Sequence, residues 1–164
     1  MAKEHSMDIS VQFDFQEVRN AVEMTKKEAL NRYDLKDAGI EVELSDEDIK
    51  ITAKGEINIH SIYDILVKKL ISRGLSSKIM DRQEVKEIGG MRVRQEIKLV
   101  KALDQETSKN ISKKIRELFP KAKPVIQGEE IRVTSGSIDD LQAIMRELKG
   151  DENISVALEF GNYR

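Results

Sequence analysis

The sequence has no cysteine and no long apolar run, and both absences exclude classes of protein. Without cysteine among its 164 residues, the chain forms no disulfide framework and supplies no thiolate nucleophile or zinc ribbon. No run approaches the ~20 apolar residues of a membrane-spanning helix, and the N-terminal MAKEHSMDIS lacks the apolar core of a signal peptide. We therefore expect a cytoplasmic protein with no membrane partner.

An excess of charge of one sign is lacking too, and so are catalytic motifs. Lys and Arg number 28 against 30 Asp and Glu, which leaves no overall basic field with which to coat nucleic acid. The two histidines, His5 and His60, have no spacing typical of a general base or of metal ligands, and no nucleophile motif occurs. The sequence thus predicts no enzyme, metal or cofactor, and any phosphate binding has to come from a local patch.

The sequence does have regular hydrophobic patterns, some with the period of a strand and others with the period of a helix. Apolar residues at every second position predict half-buried strands, and apolar stripes at helical spacing predict helices that cover one face of a sheet. The predicted strands are residues 8–15, 40–44, 48–53, 91–99, 130–134 and 154–160, with a weak candidate at 78–85, and the predicted helices are 16–31, 61–73, 105–119 and 138–149. We expect Phe13, Phe15 and Phe160 in the core.

The two halves of the chain repeat one pattern. DEDIKIT at 46–52 matches GEEIRVT at 128–134 in character, and SIYDIL at 61–66 matches SIDDLQ at 137–142. Each half has the order strand, helix, strand, strand, helix, strand. This order predicts an α+β protein with two tandem ferredoxin-like domains of RRM-like topology, each a four-stranded antiparallel sheet with two helices on one face.

The Gly89-Gly90 pair marks the predicted boundary between the two halves. It gives an N-terminal domain over residues 1–89 and a C-terminal domain over residues 90–164. Exchange of a terminal strand between the halves stays open at this point.

The Ser-Gly-Ser turn before the last predicted helix has the small residues of many phosphate-binding loops. Ser137 and Asp140, however, have the spacing of a capping box, and Ser61 and Asp64 repeat it in the first half. Carboxylates in the first helical turn repel an anion, and no Lys follows the glycine as it does in a P-loop. We therefore predict a helix cap at this turn.

The outer faces of the predicted sheets carry charge but no aromatic side chain. They therefore lack the platform on which RRM-type sheets stack bases. Four cations are predicted on adjacent central strands of the second sheet, where guanidinium groups would suit phosphate oxygens: Arg92, Arg94, Lys98 and Arg132. The alternative is a solvated face whose cations pair across strands with Glu96 and Glu130.

A second charged surface lies at the end of the first predicted helix. Arg32 and Lys36 flank Tyr33, with Lys26 and Lys27 a few residues earlier. The tyrosine ring is expected either to stack on a base or to cover the core.

Several blocks of the sequence resemble the YajQ family of bacterial proteins. They are MDIS, EVRNAV, NRYDLKD, DILVKKLISRG, VIQGEEIRVT, DDLQAIM and FGNYR. The resemblance runs from about Met7 to Arg164. It implies two ferredoxin-like domains, a cytosolic location and no known catalysis, in a family described as nucleotide-binding, with cyclic di-GMP as ligand for some members and RNA suggested for others.

The sequence departs from the family pattern at the Ser-Gly-Ser turn. The family carries a Lys and an Arg just before Asp-Asp-Leu-Gln, where this chain has Gly136 and Ile138, and an aromatic residue where it has Leu35. Loss of both cations weakens a phosphate site at that turn. The matching positions that remain are Arg32, Tyr33, Asp34, Lys36, Arg132, Asn162, Tyr163 and Arg164.

The residues and the resemblance together predict a non-catalytic nucleotide-binding module with a regulatory role. The candidate ligand-binding residues are Arg92, Arg94, Lys98, Arg132, Arg32, Tyr33 and Lys36. The candidate nucleotides are cyclic di-GMP, GTP and ATP. Two alternatives stay open, RNA binding through phosphate and shape contacts and a protein–protein adaptor, as do the oligomeric state and the choice between one shared site and one per domain.

Overall fold

A computed structural model describes residues 3–164, in which the chain forms four α-helices, a short 3-10 helix at Ser77–Ile79 and nine strands. The helices are α1 (Phe15–Asn31), α2 (Glu56–Ser72), α3 (Gln105–Leu118) and α4 (Ile138–Lys149). The strands are β1 (His5–Ser10), β2 (Glu41–Leu44), β3 (Asp48–Ala53), β4 (Met80–Arg82), β5 (Lys86–Ile88), β6 (Arg92–Leu99), β7 (Lys123–Gln127), β8 (Glu130–Ser135) and β9 (Glu159–Gly161). None of the helices in this range has the length and apolar character that a membrane crossing requires.

The chain divides into two compact units, each with its own antiparallel sheet. The inserted unit is the continuous segment Phe13–Val100. The split unit is made of the N-terminal segment up to Gln12 together with Lys101–Arg164. Each unit has two helices, so the predicted α+β architecture with two ferredoxin-like sheets is confirmed.

The sheet of the split unit has the strand order β7-β8-β1-β9. Strand β1 lies inside it, with Met7 opposite Val133 of β8 and Ile9 opposite Phe160 of β9. The chain order β1, α3, β7, β8, α4, β9 with this neighbour order is the ferredoxin-like topology. The whole inserted unit thus lies, in sequence, between the first strand of this fold and its first helix.

The sheet of the inserted unit has the order β2-β3-β6-β4, and β5 pairs with the first part of β6. This sheet has the same ferredoxin-like topology as that of the split unit, with β6 in the position that the first strand of the fold normally occupies. Strand β6 belongs by sequence to the second repeat and β1 to the first, so the two repeats have exchanged their first strands. The exchange that the sequence left open is therefore present.

The predicted boundary at 89/90 is wrong, because Gly89 and Gly90 lie in a hairpin turn of the inserted unit. The turn joins β5 to β6, with Ile88 opposite Arg92. Gly90 and Met91 both have positive φ angles, 76° and 59°, and a pair of positive φ angles is typical of tight hairpins. Glycine-rich turns and interdomain linkers share their composition, so the sequence alone does not distinguish them.

The predicted caps and strand ends agree with the structure in part. Ser137 caps α4, its hydroxyl accepting from the amide of Asp140 at 3.2 Å. Ser61 caps nothing, since α2 begins at Glu56 after Gly55 and Ser61 lies in its interior. Strand β1 ends at Ser10, short of the predicted 8–15, and the Asp14 side chain caps α1.

The predicted strand over 154–160 shrinks to β9, Glu159–Gly161. The three phenylalanines expected in the core, Phe13, Phe15 and Phe160, are half-buried. Aliphatic residues fill the cores instead, with Ile51, Leu66 and Ile97 fully buried in the inserted unit.

Candidate functional site

Strand β6 presents a row of cations on one face of its sheet. Arg92, Arg94 and Lys98 alternate with the more deeply buried Gln95, Ile97 and Leu99, as the period of two demands. Arg132 does not join them, because it lies on β8 in the split unit. The prediction of one four-residue cluster on a single sheet is therefore wrong, and the strand exchange is its cause.

Two lysines from neighbouring strands complete the group around β6. Lys50 of β3 lies opposite Glu96, and Lys86 of β5 lies opposite Arg94. A depression of about 270 Å³ lies over these side chains, and we call it the cationic depression. It is lined by Lys50, Gln83, Glu84, Lys86, Ile88, Arg94, Glu96 and Lys98.

The charges of the cationic depression are only partly neutralised. Within residues 3–164, the side-chain ammonium groups of Lys50, Lys86 and Lys98 make no hydrogen bond or ion pair with a protein group. The Nε of Arg94 donates to the buried Thr52 hydroxyl at 2.9 Å, which orients the guanidinium group on the sheet. Four cations and two carboxylates line the depression, a net formal charge of +2 that suits an anion.

Arg92, by contrast, is occupied by contacts within the inserted unit. Its Nη2 donates to the carbonyl oxygen of Gly39 at 2.9 Å and lies 3.6 Å from a carboxylate oxygen of Glu41. These contacts fasten the start of β6 to the segment that leads into β2. Arg92 does not line the cationic depression.

The predicted Arg32, Tyr33 and Lys36 group lies just after α1. Arg32 forms a two-pronged pair with Asp34, with Nε–Oδ1 and Nη2–Oδ2 distances of 3.0 and 2.9 Å. Hydrogen bonding from Arg32 lowers the pKa of Asp34. Tyr33 is 90% exposed, so the alternative that it covers the core is wrong, and Lys36 Nζ lies 5.7 Å from its ring centroid.

Arg132 is paired with a buried carboxylate of the split unit. Its Nε donates to Asp8 Oδ1 at 2.9 Å and its Nη2 to Oδ2 at 3.3 Å, while Asn162 Nδ2 donates to Oδ2 at 2.9 Å. The blocks MDIS, VIQGEEIRVT and FGNYR thus meet at Asp8, which is 5% exposed. The pair with Asp8 holds the Arg132 guanidinium group in place within the split unit.

The hydrogen bond from Arg132 lowers the pKa of Asp8 below its usual 3.8, with a further contribution from Asn162, although burial opposes it. A carboxylate with a lowered pKa stabilises the fold above its usual pKa, and this stabilisation is lost as the pH falls through the lowered value. Asp8→Asn is expected to cost about 2 kcal/mol of unfolding free energy at pH 7 and less in acid. Denaturant unfolding of both proteins between pH 7 and pH 2 measures the difference.

A matched control for this prediction is Asp46→Asn, since Asp46 is an exposed carboxylate in the hairpin between β2 and β3. It is expected to leave the unfolding free energy at pH 7 unchanged. An Asp8→Asn protein as stable as the wild type at pH 7 would contradict the assignment.

The Ser-Gly-Ser turn is a helix cap, as the sequence predicts. The turn after β8 caps α4 with Ser137, and Asp139 and Asp140 place negative charge in its first turn, so it is poorly suited to phosphate. In the described part of the chain no three side chains of His, Asp or Glu come together as a metal site requires. Lys50 and Lys86 were missed, and only the register of β6 with its two neighbours identifies them.

The fold and the charged sheet face define a class of protein, an α+β protein of two ferredoxin-like units with a cationic surface on one of its sheets. The model of the nucleotide-binding protein YajQ-like family matches residues 5–164. The chain therefore belongs to the YajQ-like family, as its sequence blocks predicted.

Proteins that match this chain over all of its residues occur in several bacteria. Proteins of Nostoc punctiforme and of Synechococcus sp. strain JA-3-3Ab are 46% and 44% identical to this chain over 164 residues. A protein of Chloroflexus aggregans is 44% identical over 165 residues. Each match covers 100% of both chains, and each of these relatives is named a nucleotide-binding protein.

Proposed function

We propose that this protein binds a nucleotide in the cationic depression of the inserted unit and carries out no chemistry on it. The observation that carries this is the group of Lys50, Lys86 and Lys98, whose side-chain ammonium groups have no partner among the described residues. Unpaired lysines around an oriented arginine are the groups that charge-assisted hydrogen bonds to phosphate need. The relatives named nucleotide-binding proteins support the same assignment.

Among nucleotides, cyclic di-GMP fits the charge of the depression best. Its two phosphodiesters carry one negative charge each, which matches the net formal charge of +2 of the lining residues. GTP and ATP carry more charge on one end and would leave Glu84 and Glu96 facing phosphate. The Arg94 guanidinium and the Ile88 side chain offer the flat and apolar surfaces for a base.

Isothermal titration with cyclic di-GMP, GTP, ATP and a short RNA, each at low salt, tests this function. Heat from at least one mononucleotide or dinucleotide is expected, with cyclic di-GMP the tightest. No heat with any of the three nucleotides would overturn nucleotide binding.

The double variant Lys86→Ala/Lys98→Ala is expected to weaken binding about a hundredfold. Each lysine supplies one charge-assisted contact, worth roughly tenfold in affinity. Both side chains are exposed and make no bond to the described protein, so the unfolding free energy is expected to stay unchanged. Titration of the variant, with a denaturation curve alongside, measures both.

The matched control is Lys27→Ala/Lys68→Ala, which removes the same charge from exposed lysines of α1 and α2 outside the depression. It is expected to bind like the wild type. Equal weakening in both double variants would show that net charge, and not this site, governs binding.

RNA binding through phosphates predicts a different salt dependence. An RNA that spans several lysines loses affinity steeply as salt rises, with a logarithmic slope of about −0.7 per phosphate contact. A cyclic dinucleotide makes at most two such contacts. A steep slope for RNA, together with no heat from any nucleotide, would favour RNA as the ligand of the same surface.

A further inference from the structure

The inserted unit has a second concave surface, separate from the cationic depression in its lining residues. It is a groove of about 460 Å³ between the C-terminal half of α1 and strand β2, and we call it the edge groove. Its apolar lining is Ala29, Leu30, Leu35, Ile40 and Val42. Leu30 is 67% exposed, so an apolar side chain that entered the groove would find apolar surface now facing water.

Strand β2 forms one wall of the groove and is an edge of its sheet. Ser45 N donates to Asp48 O at 2.9 Å, which makes these two residues a hydrogen-bonded pair. Hydrogen-bonded pairs alternate along an antiparallel ladder, so the pairs of Glu43 with Lys50 and Glu41 with Thr52 follow. The backbone groups of Val42 and Leu44 therefore point away from β3.

No strand within residues 3–164 pairs with this free side of β2. An extended peptide is the occupant that satisfies such an edge, because it supplies both donors and acceptors at strand spacing. Side chains of the added strand would alternate between the edge groove and the outer face of the sheet. The edge groove thus takes every second side chain.

The charges on the outer face of β2 decide which peptide fits there, whereas Lys26 and Lys36, which also line the edge groove, disfavour a cationic side chain inside it. Glu41 and Glu43 are both exposed on the outer face, one on each side of Val42. A second copy of β2 would bring glutamates opposite glutamates, and like charges directly across a ladder are destabilising. A strand with Lys or Arg at those positions would place opposite charges across the ladder, which is stabilising.

We propose that the edge of β2 is a docking site for a basic extended peptide of a partner protein. The peptide alternates Lys or Arg, beside Glu41 and Glu43, with aliphatic side chains that enter the edge groove. It joins the sheet by β-augmentation through the backbone of Val42 and Leu44. This site shares no lining residue with the cationic depression, so either can exist without the other.

A labelled peptide of alternating Lys and Val, with blocked ends, is the probe, and fluorescence anisotropy at physiological salt is the measurement. Saturable binding is expected, at least tenfold tighter than for the same peptide with Glu in place of Lys. In two further peptides the backbone amides are N-methylated, at the Lys positions in one peptide and at the Val positions in the other. Only one set turns its amides toward β2, so one methylated peptide is expected to lose binding and the other to keep it.

Substitutions in the protein locate the site. Leu30→Asp is expected to weaken the Lys-Val peptide at least tenfold, whereas Ile71→Asp, at a residue 59% exposed on α2, is expected to change nothing. Glu43→Lys is expected to reverse the preference in favour of the Glu-Val peptide. Absence of binding, equal effects of the two methylation patterns, or equal effects of Leu30→Asp and Ile71→Asp would each overturn the docking site.

Discussion

Deletion of residues 1–12 is expected to unfold the split unit and to leave the inserted unit folded. Strand β1 lies between β8 and β9, so its loss breaks the ladder on both sides and leaves β9 without a neighbour. Met7, Ile9 and Val11, all at most 3% exposed, leave the core with it. At about 1.5–3 kcal/mol for each buried side chain, the loss matches the whole stability of a typical domain, about 5–15 kcal/mol.

The inserted unit is expected to survive because every strand of its sheet lies within Phe13–Val100. Amide NMR spectra of the shortened protein should keep dispersed signals for that segment and lose them for residues 101–164. Deletion of residues 1–4, which spares β1, is the control and should preserve both sets. Dispersed signals from residues 101–164 after the longer deletion would contradict the strand exchange.

Leu66→Ala is expected to lower the unfolding free energy of the inserted unit by about 3 kcal/mol. Leu66 lies in α2, is fully buried, and belongs to the helix that packs on β3 and β6. Truncation of a fully buried leucine costs about 2–5 kcal/mol, because the apolar contacts are lost and the neighbours fill the cavity only in part. The exchange rates of slowly exchanging amides in β3 and β6 report this change.

Ile57→Ala is the matched control, since Ile57 lies in the same helix and is 80% exposed. It removes a similar number of carbon atoms and is expected to cost less than about 0.5 kcal/mol. Equal losses from the two substitutions would show that α2 does not bury the face assigned to it.

The fold class follows from local patterns, which is why the sequence predicts it well. The ends of the helices predicted over 105–119 and 138–149 agree with those of α3 and α4 to within one residue. The apolar stripe and the Ser or Asp cap that predict such a helix both lie in neighbouring positions of the sequence. The early start of α2 was missed because Gly55 gives no side-chain cap. The signal at Ser61, which resembles a cap, lies inside the helix.

The pairing of strands could not be predicted, because it is not a local property. In the sequence, apolar and polar residues alternate in both β1 and β6, so this alternation does not indicate which sheet each strand completes. The choice depends on partners more than 40 positions away, such as Asp8 with Arg132 and Arg94 with Thr52. For the same reason the sequence predicts Arg132 on the sheet of Arg92, Arg94 and Lys98, whereas it lies on the other sheet.

The candidate site was predicted in part. Arg94 and Lys98 line the cationic depression as cations on the open face of a strand, which alternation alone indicates. Arg92 and Arg132 point out from strands as well, but a carbonyl and a carboxylate occupy them. Whether a surface cation has a partner depends on register, and a single sequence does not give register.

The exchange of β1 has a consequence for how the chain acquires its structure during synthesis. All strands of the inserted unit pair with one another, so the segment Phe13–Val100 can complete its sheet as soon as it leaves the ribosome. Strand β1, by contrast, pairs with β8, which lies about 125 residues further along the chain. Contacts across such a separation raise the contact order and slow folding. Strand β1 therefore remains unpaired until β8 has been synthesised, which is the interval in which a chaperone would have most to protect.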